Sequence, residues 1–275
     1  MGNFRPSCGR RAATLPSSRR SMDYLQRLVD NAHALVRSGY YPVEGPARPA
    51  PSLRRAIEAR LRPAVIPEIK FASFTMASGR QPNEFPSILE GFVRAKPAGL
   101  SVLAEPRIFG GDIRFVREAA SSGLPVLMKD VVVEERQIDA AAVAGASALL
   151  LIGKLFRDGL ADGLGDLITY AHEARRDVVL EVNTVREWDV AVNTEADIIG
   201  INNRDLATMA VDLETTERIL AAREKDRPVI AMSGIGSRAE VDRMFRAGAD
   251  AALVGSSLML APDPEAKLRE LIHGG

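Results

Sequence analysis

The sequence has one cysteine, three histidines and no excess charge of either sign. Cys8 alone cannot form an internal disulfide framework or a cysteine-based zinc cluster, as is usual for a protein of the reducing cytosol. The histidines, His33, His172 and His273, have no ligand-like spacing, so we predict no metal site. Because 36 basic residues balance 36 acidic ones, no global field attracts nucleic acid, and any attraction for an anion must be local.

Long hydrophobic runs are also missing from the sequence. Apolar stretches are broken by Gly, Lys or Glu well short of the roughly 18 to 20 residues that a membrane helix needs. We therefore expect no membrane partner and predict a cytoplasmic protein. The 275 residues, of which 46% are hydrophobic, suffice for one large domain with a well-filled core, and two ordinary domains would be a tight fit.

The first 21 residues differ in composition from the rest of the chain. They contain five arginines, several serines and no acidic residue, a transit-like composition without a clear amphipathic period. We interpret them as a disordered leader or a segment upstream of the true start, both ranked ahead of a targeting peptide. Residues 22–62 follow as a helical extension with two predicted helices, Met22–Ser38 and Leu53–Leu61. The sequence leaves open whether this extension covers the bottom of the next domain or rims its mouth.

Short β-branched or apolar segments recur through the rest of the chain, each followed by a segment of helical periodicity. Eight strands are predicted: Val65–Lys70, Leu100–Ala104, Val126–Lys129, Ala148–Ile152, Val178–Val182, Ile198–Ile201, Val229–Ser233 and Ala251–Val254. Intervals of about 20 to 35 residues leave room for one helix and two short loops each time. This pattern predicts an α/β fold, a single (β/α)8 TIM barrel over residues 63–275. A dinucleotide-binding sheet would also need a Gly-x-Gly-x-x-Gly turn after the first strand, and there is none.

Charged and polar side chains cluster at the carboxyl ends of the predicted strands, which open onto the active site in TIM barrels. Glu68 and Lys70 lie two apart on one strand and therefore point to the same face. A buried ion pair or a strand end in solvent would explain any one such residue. Burying an unpaired charge costs several kcal/mol, however, so two lysines and two glutamates on three strands indicate a built site. The residues concerned are Glu68, Lys70, Lys129, Glu181, Asn202, Arg204 and Ser233.

Small residues follow the last two predicted strands, in the segments Ser233–Gly236 and Gly255–Ser257. Barrels of this kind bind phosphate in these two loops, through backbone N–H groups and a helix N-terminus. Either segment alone is a weak signal, because Gly-Ser turns are common. Together they predict a small phosphorylated molecule as the substrate.

Several peptides at these strand ends match those of one known family, in the same order along the chain. They are Pro67–Ser73, Ser101–Leu103, Phe109–Gly111, Met128–Asp130, Leu180–Asn183, Ile199–Leu206, Val211–Thr216 and Leu253–Met259. In these peptides the chain resembles indole-3-glycerol-phosphate synthase. The resemblance implies a carboxy-lyase of tryptophan biosynthesis that needs no metal or organic cofactor. Such an enzyme closes the pyrrole ring of 1-(o-carboxyphenylamino)-1-deoxyribulose 5-phosphate and releases carbon dioxide and water.

The resemblance also implies roles for individual residues of this chain. Lys129 would deliver a proton to the ketone oxygen during ring closure, and Lys70 would hold the substrate carboxylate or act as the acid when the hydroxyl leaves. Glu181 and Glu68 would act as bases or hold the ammonium groups. Ser73 would begin a mobile lid over residues 74–83. Asn202 would form a hydrogen bond with the polar chain, Arg204 would support the site electrostatically, and Leu206 would be a further substrate contact. The implied phosphate contacts are Ser233, Gly234, Gly255 and Ser256.

The match to the family breaks at three places. Met232 stands where the family usually has a glutamate, Val131 where it usually has an aromatic residue, and Phe74-Thr75 replaces the usual Pro-Ser of the lid. The charged site residues are counted as Lys70, Lys129 and Arg204 against Glu68 and Glu181. Their net charge is +1, whereas a glutamate at 232 would make the site neutral. The lysines thereby lose one partner that holds their geometry.

Two alternatives to an active synthase therefore remain. One is a divergent phosphate-binding barrel with weak or no lyase activity, acting as a binding or partner protein. The other is a related isomerase such as phosphoribosylanthranilate isomerase, against which Glu68 and Lys70 argue, because that chemistry needs a Cys or Asp acid–base pair. We expect a monomer or weak homo-oligomer, with other enzymes of the tryptophan pathway as candidate partners.

Overall fold

The computed structural model describes residues 17–60, 64–73, 76–77 and 79–274. Its strands are β1 (Ala64–Ile69), β2 (Ala72–Ser73), β3 (Met76–Ala77), β4 (Leu100–Leu103), β5 (Val126–Lys129), β6 (Ala148–Ile152), β7 (Asp177–Val182), β8 (Ile198–Asn202), β9 (Val229–Met232) and β10 (Ala251–Val254). Its helices are α1 (Ser17–Arg37), α2 (Leu53–Glu58), α3 (Phe85–Arg94), α4 (Ile113–Ala120), α5 (Glu135–Ala144), α6 (Gly153–Arg157), α7 (Leu164–Glu173), α8 (Val185–Ala191), α9 (Glu214–Ala222), α10 (Arg238–Arg246), α11 (Ser256–Leu260) and α12 (Pro264–His273).

Eight parallel strands, β1 and β4 to β10, close into a barrel in the order β1-β10-β9-β8-β7-β6-β5-β4. At least one helix follows each of these strands along the chain, which confirms the predicted (β/α)8 TIM barrel. All eight predicted strands are present with bounds that differ by at most one residue. Lys70, Ala104 and Ser233 lie just beyond the strand ends instead of within them, because the parallel backbone pairing ends one residue earlier. Within the described part of the chain, no helix combines the length and apolarity needed to cross a membrane.

Alternation along each strand divides the core into an outer shell and a barrel interior. Outward side chains such as Val102, Leu151 and Ile199 pack in a cluster with the surrounding helices. Inward side chains form layers contributed by alternate strands, as is usual in this fold. One interior layer holds Ile66, Leu127, Val179 and Ile230, which are all buried in a second cluster. Two residues further along the same four strands, a layer closer to the mouth holds Glu68, Lys129, Glu181 and Met232.

The N-terminal extension covers both ends of the barrel, which settles the question that the sequence left open. At the bottom, the Leu53 side chain is fully buried against Gly99. The Ser52 hydroxyl and the Arg54 N–H each donate a 2.9 Å hydrogen bond to Asp177 at the start of β7. Helix α2 is therefore fixed to the amino ends of the strands.

Helix α1 lies at the opposite end, over the mouth of the barrel. The Asn31 amide donates to Glu105 after β4, and the His33 ring contacts Glu134 after β5. The helix begins at Ser17, where we predicted Met22, and α2 ends at Glu58, where we predicted Leu61. The leader prediction for residues 1–16 and the predicted boundary at residues 62–63 lie outside the described residues.

The segment after β1 contains more regular structure than the predicted loop. Strands β2 and β3 pair antiparallel, and a 3-10 turn over Pro82–Glu84 leads into α3. The Arg80 guanidinium donates to the carbonyl oxygens of Met259 (3.0 Å) and Ala261 (2.5 Å), so this end of the predicted lid is anchored beside α11. Phe74, Thr75, Ser78 and the Ser73 side chain lie outside the described residues, and the mobility of the lid stays a prediction.

We predict that Leu53→Ala lowers the free energy of unfolding by about 3 kcal/mol, because it opens a cavity beneath the barrel. Denaturant unfolding measures this change. Val190→Ala is the control, because the Val190 side chain is 51% exposed, and it should shift stability by less than about 0.5 kcal/mol. Equal effects of the two variants would contradict the covering role of α2.

Candidate functional site

A cavity of about 400 Å³ opens at the mouth of the barrel, under helix α1. Every predicted site residue whose side chain is described lines this cavity. They are Glu68, Lys70, Lys129, Val131, Glu181, Asn202, Arg204, Leu206, Met232, Ser233, Gly234, Gly255 and Ser256. The carboxyl ends of parallel strands meet at one end of a barrel, so residues far apart in sequence converge there.

Two lysines and two glutamates form the polar centre of the cavity. The Lys70 Nζ lies 2.9 Å from Glu68 Oε1. The Lys129 Nζ lies 3.9 Å from Glu68 Oε2 and 3.9 Å from Glu181 Oε2. The side chains of Glu68 and Glu181 are only 6% and 5% exposed. The side chains of Lys70 and Lys129 are more exposed, at 15% and 21%. The ammonium group of Lys129 therefore bridges two buried carboxylates while keeping access to the cavity.

The two carboxylates differ in proton affinity. Burial alone would raise the pKa of Glu68, but the charges of Lys70 and Lys129 outweigh burial and hold that pKa below its usual value. At Glu181, burial outweighs the opposing effects of Lys129 and Asn202, so the pKa lies above its usual value. Environments that separate two carboxyl groups in this way commonly mark different roles in acid–base chemistry. Glu68 is suited to remain charged, and Glu181 is suited to exchange a proton.

Asn202, the last residue of β8, fixes the orientation of Glu181. Its Nδ2 donates to Glu181 Oε1 at 2.8 Å, and its Oδ1 accepts from the Arg204 N–H at 2.9 Å. The Arg204 guanidinium in turn donates to the Met209 carbonyl at 3.0 Å. These contacts assign Asn202 a structural task in addition to the substrate contact that the sequence suggested.

The glycine loops after β9 and β10 lie directly beside the charged centre. Ser233 and Gly234 have φ values of 68° and 79°, so the chain makes a left-handed turn as it leaves β9. A Cβ at Gly255 would lie 2.7 Å from Glu68 Oε1 and 3.2 Å from Lys70 Nζ, so only glycine leaves room for that ion pair. The Gly236 N–H donates to Glu240 Oε2 at 2.8 Å, so this N–H group already has a hydrogen-bond acceptor within the protein.

Met232 and Val131 form an apolar part of the cavity lining. Met232 is 1% exposed, and a Cβ at Gly200 would lie 2.6 Å from its Cε and 3.3 Å from its Sδ. The thioether therefore extends along Gly200 on β8. Val131 is buried in the same interior cluster.

Comparison with known proteins identifies the family. The family model of indole-3-glycerol phosphate synthase matches residues 36–271. The chain belongs to the indole-3-glycerol phosphate synthase family. The synthase of Haloarcula marismortui is 41% identical over 80% of this chain and 82% of that protein, and the synthase of Thermococcus kodakarensis is 35% identical over 80% and 97%. A thiamine phosphate pyrophosphorylase from Pyrococcus furiosus shares the fold alone, with a TM-score of 0.56 and 17% identity over 80% of this chain and 96% of that one.

Membership in the indole-3-glycerol phosphate synthase family confirms the resemblance seen in the strand-end peptides. Members of this family are decarboxylating lyases of tryptophan biosynthesis. Among the described residues, no group of three or more His, Cys, Asp or Glu side chains is arranged to hold a metal ion.

Several residues of the cavity were missed from the sequence. Leu150, Ile152 and Leu253 lie on predicted strands but received no role, because the sequence did not fix which face of those strands points inward. Phe109 belongs to one of the matching peptides but received no role. Tyr24 and Leu28 could not be found, because the sequence did not position helix α1. The other missed lining residues are Leu103, Asp130, Met209 and Leu260, whereas Ile235, Gly236 and Ser257 belong to the two predicted phosphate loops.

Asp130 lies next to Lys129 and is 4% exposed. It accepts hydrogen bonds from the Tyr41 hydroxyl at 2.8 Å and from the Val131 N–H at 2.7 Å. The Gln137 amide donates to the same Tyr41 hydroxyl at 3.2 Å. Burial outweighs these hydrogen bonds and raises the pKa of Asp130 to about 7.

This raised pKa predicts a pH-dependent effect of Asp130→Asn. The folded chain keeps the Asp130 proton up to about pH 7, whereas an unperturbed aspartate has a pKa of 3.8, so this group destabilises the fold as pH rises through that window. Asparagine has no proton to release, so the variant should gain stability relative to wild type between pH 5 and pH 8. Urea unfolding at both values measures the difference. Parallel pH profiles of the two proteins would contradict the raised pKa.

Proposed function

We propose that this chain converts 1-(o-carboxyphenylamino)-1-deoxyribulose 5-phosphate to indole-3-glycerol phosphate. The observation that carries the proposal is the Lys129 ammonium, 3.9 Å from two buried carboxylates at the base of a cavity whose rim carries two glycine loops. A proton donor held between two carboxylates suits a reaction that needs proton transfer in two steps, ring closure and dehydration. The cavity is also large enough for one small molecule.

In the first step, the ring carbon that bears the carboxylate attacks the ketone carbon of the substrate. Lys129 gives a proton to the ketone oxygen as the new carbon–carbon bond forms, and Lys70 holds the carboxylate. The bond to the carboxylate then breaks, and carbon dioxide leaves as its electron pair restores the aromatic ring. General acid catalysis of this kind typically contributes about 10²- to 10⁴-fold.

Dehydration completes the pyrrole ring. The new hydroxyl leaves as water with a proton from a lysine, while Glu181 takes up the proton that the nascent ring must lose. A carboxyl with a raised pKa is suited to this exchange. Glu68, with its lowered pKa, remains ionised and holds the Lys70 ammonium at 2.9 Å.

The other end of the substrate would bind at the glycine loops. We propose that backbone N–H groups of Gly234, Gly255 and Ser256, with the Ser233 hydroxyl, hold the phosphate, and that Arg204 adds positive charge beside the polar chain. Leu206, Val131 and Met232 would contact the apolar part of the substrate. Ser73 would contribute from the segment after Lys70. These assignments rest on the positions of the residues around the cavity and on the family's pattern.

Met232 favours a second candidate, a barrel that binds the substrate but turns it over weakly. Its apolar side chain occupies the mouth layer together with Glu68, Lys129 and Glu181. Lys129 then has two carboxylate neighbours, where a glutamate at 232 would add a third. A methionine thioether can also pack favourably against an aryl ring, so binding would survive better than turnover.

Indole fluorescence in the presence of the carboxyphenylamino substrate tests both candidates. We expect wild-type turnover, a loss of at least about 100-fold in kcat for Lys129→Ala, and a change below about tenfold for Met232→Glu. Lys225→Ala is a matched control, because Lys225 forms an ion pair with Asp250 away from the cavity and should leave kcat unchanged.

Two outcomes would decide against an active synthase. Wild-type signal no higher than that of Lys129→Ala would exclude the lyase reaction. A rate in Met232→Glu far above wild type would favour the weakly active binding protein instead.

We also propose a cytoplasmic location and a monomeric or weakly self-associating state, alongside other enzymes of the tryptophan pathway. These proposals are supported by the single cysteine and by a cavity at which one chain brings the described site residues together. Light scattering across a concentration series tests the oligomeric state.

A further inference from the structure

Glu105 is a buried carboxylate that the proposed chemistry does not use. It follows β4, is 1% exposed and accepts four hydrogen bonds. Its Oε1 accepts from the Arg107 N–H at 2.7 Å and from the Asn31 amide at 2.9 Å. Its Oε2 accepts from the N–H groups of Ile108 at 2.6 Å and Phe109 at 2.9 Å. The loop after β4 is therefore wrapped around one side chain.

The same loop delivers Phe109 to the cavity. Behind Phe109, the Gly111 N–H donates to the Glu105 carbonyl at 2.8 Å, which closes the loop on itself. The Phe109 carbonyl accepts from the Ala72 N–H at 3.1 Å, so the loop also holds the segment that follows Lys70. The position of the Phe109 ring at the cavity wall depends on how this loop is held.

Glu105 also holds helix α1. Asn31 donates to Glu105 and accepts from the Arg107 guanidinium at 3.2 Å. Leu28, one turn earlier on α1, lines the cavity, as does Tyr24 a further turn away. One carboxylate thus joins the loop that bears Phe109 to the helix that covers the mouth.

These contacts lie on a different part of the cavity wall from the glycine loops. Phe109 follows β4, which is separated from β10 by β1, and from β9 by β1 and β10, in the closed strand order. Phe109 and Leu28 are apolar, whereas the glycine loops present backbone N–H groups. An elongated substrate with its phosphate at the glycine loops would place its aryl end towards Phe109 and α1.

We propose that Glu105 is a positioning residue for the aryl end of the substrate. It holds Phe109 and, through Asn31, helix α1 as two walls of the aryl subsite. The inference rests on the proposed function, because that function supplies the aryl group. It assigns to Glu105 no contact with the substrate itself.

The charge and both oxygens of Glu105 are needed for this task. Glutamine offers one acceptor oxygen in place of two, and its amide N–H groups would face the N–H groups of the loop. Buried donors that lose their acceptor are costly, so the loop would move to satisfy them. Glu105→Gln therefore changes the position of Phe109 without changing the volume of residue 105.

The test compares Glu105→Gln with a matched control, Asp177→Asn. Asp177 also accepts hydrogen bonds from a hydroxyl and a backbone N–H, but at the bottom of the barrel. For Glu105→Gln we expect KM to rise about tenfold while kcat changes less than about threefold, and for Asp177→Asn we expect both to stay at the wild-type value.

Calorimetry with two fragments isolates the aryl end from the phosphate end. Anthranilate should bind Glu105→Gln about tenfold more weakly than wild type, and inorganic phosphate should bind both equally. In a double-mutant cycle, the effects of Glu105→Gln and Phe109→Ala should be less than additive, because Glu105 acts in part through Phe109. If Glu105→Gln does not fold, Asn31→Ala removes only the link to α1 and should still weaken anthranilate binding.

Binding without turnover separates this inference from the proposed function. Wild type that binds both fragments but forms no indole would contradict the lyase reaction and leave the binding comparison intact. Anthranilate affinity unchanged in Glu105→Gln, no anthranilate binding by wild type, or additive effects in the cycle would each overturn the positioning role.

Discussion

The site depends on one lysine ammonium shared by two buried carboxylates. Glu68 and Glu181 come from β1 and β7, and without Lys129 they would place two negative charges in a water-poor barrel interior. Burial of an unpaired carboxylate costs several kcal/mol, so one of them would be forced to take up a proton. Lys129 meets both at 3.9 Å, and Lys70 adds a second cation at 2.9 Å from Glu68 alone. This asymmetry separates the pKa values of the two carboxyl groups.

The barrel supplies that arrangement through its strand geometry. Side chains of alternate strands share a layer, so Glu68, Lys129, Glu181 and Met232 form one ring, two residues closer to the mouth than the apolar ring of Ile66, Leu127, Val179 and Ile230. Three members of the ring are charged, and the fourth lies against Gly200. The apolar layers below exclude water and strengthen the electrostatic contacts above them. The same geometry that gives the fold its core therefore gives the site its charge separation.

The fold and most of the site could be predicted from the sequence because both follow local patterns. Short β-branched or apolar segments located all eight strands, and charged residues at their ends located Lys129 and Glu181. The residues that were missed depend on long-range placement. Leu28 lines the cavity only because α1 crosses the mouth. In the sequence, nothing distinguishes Glu105 from other loop glutamates, and its role depends on the loop N–H groups that donate to it in the folded chain. Strand ends were misplaced by one residue at Lys70 and Ser233, since backbone pairing ends at Ile69 and Met232 and the sequence does not mark that end.

The measurement that tests the central claim most directly is an NMR titration of ¹³C-labelled glutamate carboxyl groups, with Glu68→Gln and Glu181→Gln used for assignment. The structure predicts that Glu68 titrates below an ordinary glutamate and Glu181 above it, because Glu68 has two lysine neighbours and Glu181 has one. Equal pKa values, or the reverse order, would contradict the account in which Lys129 and Lys70 separate the two carboxyl groups.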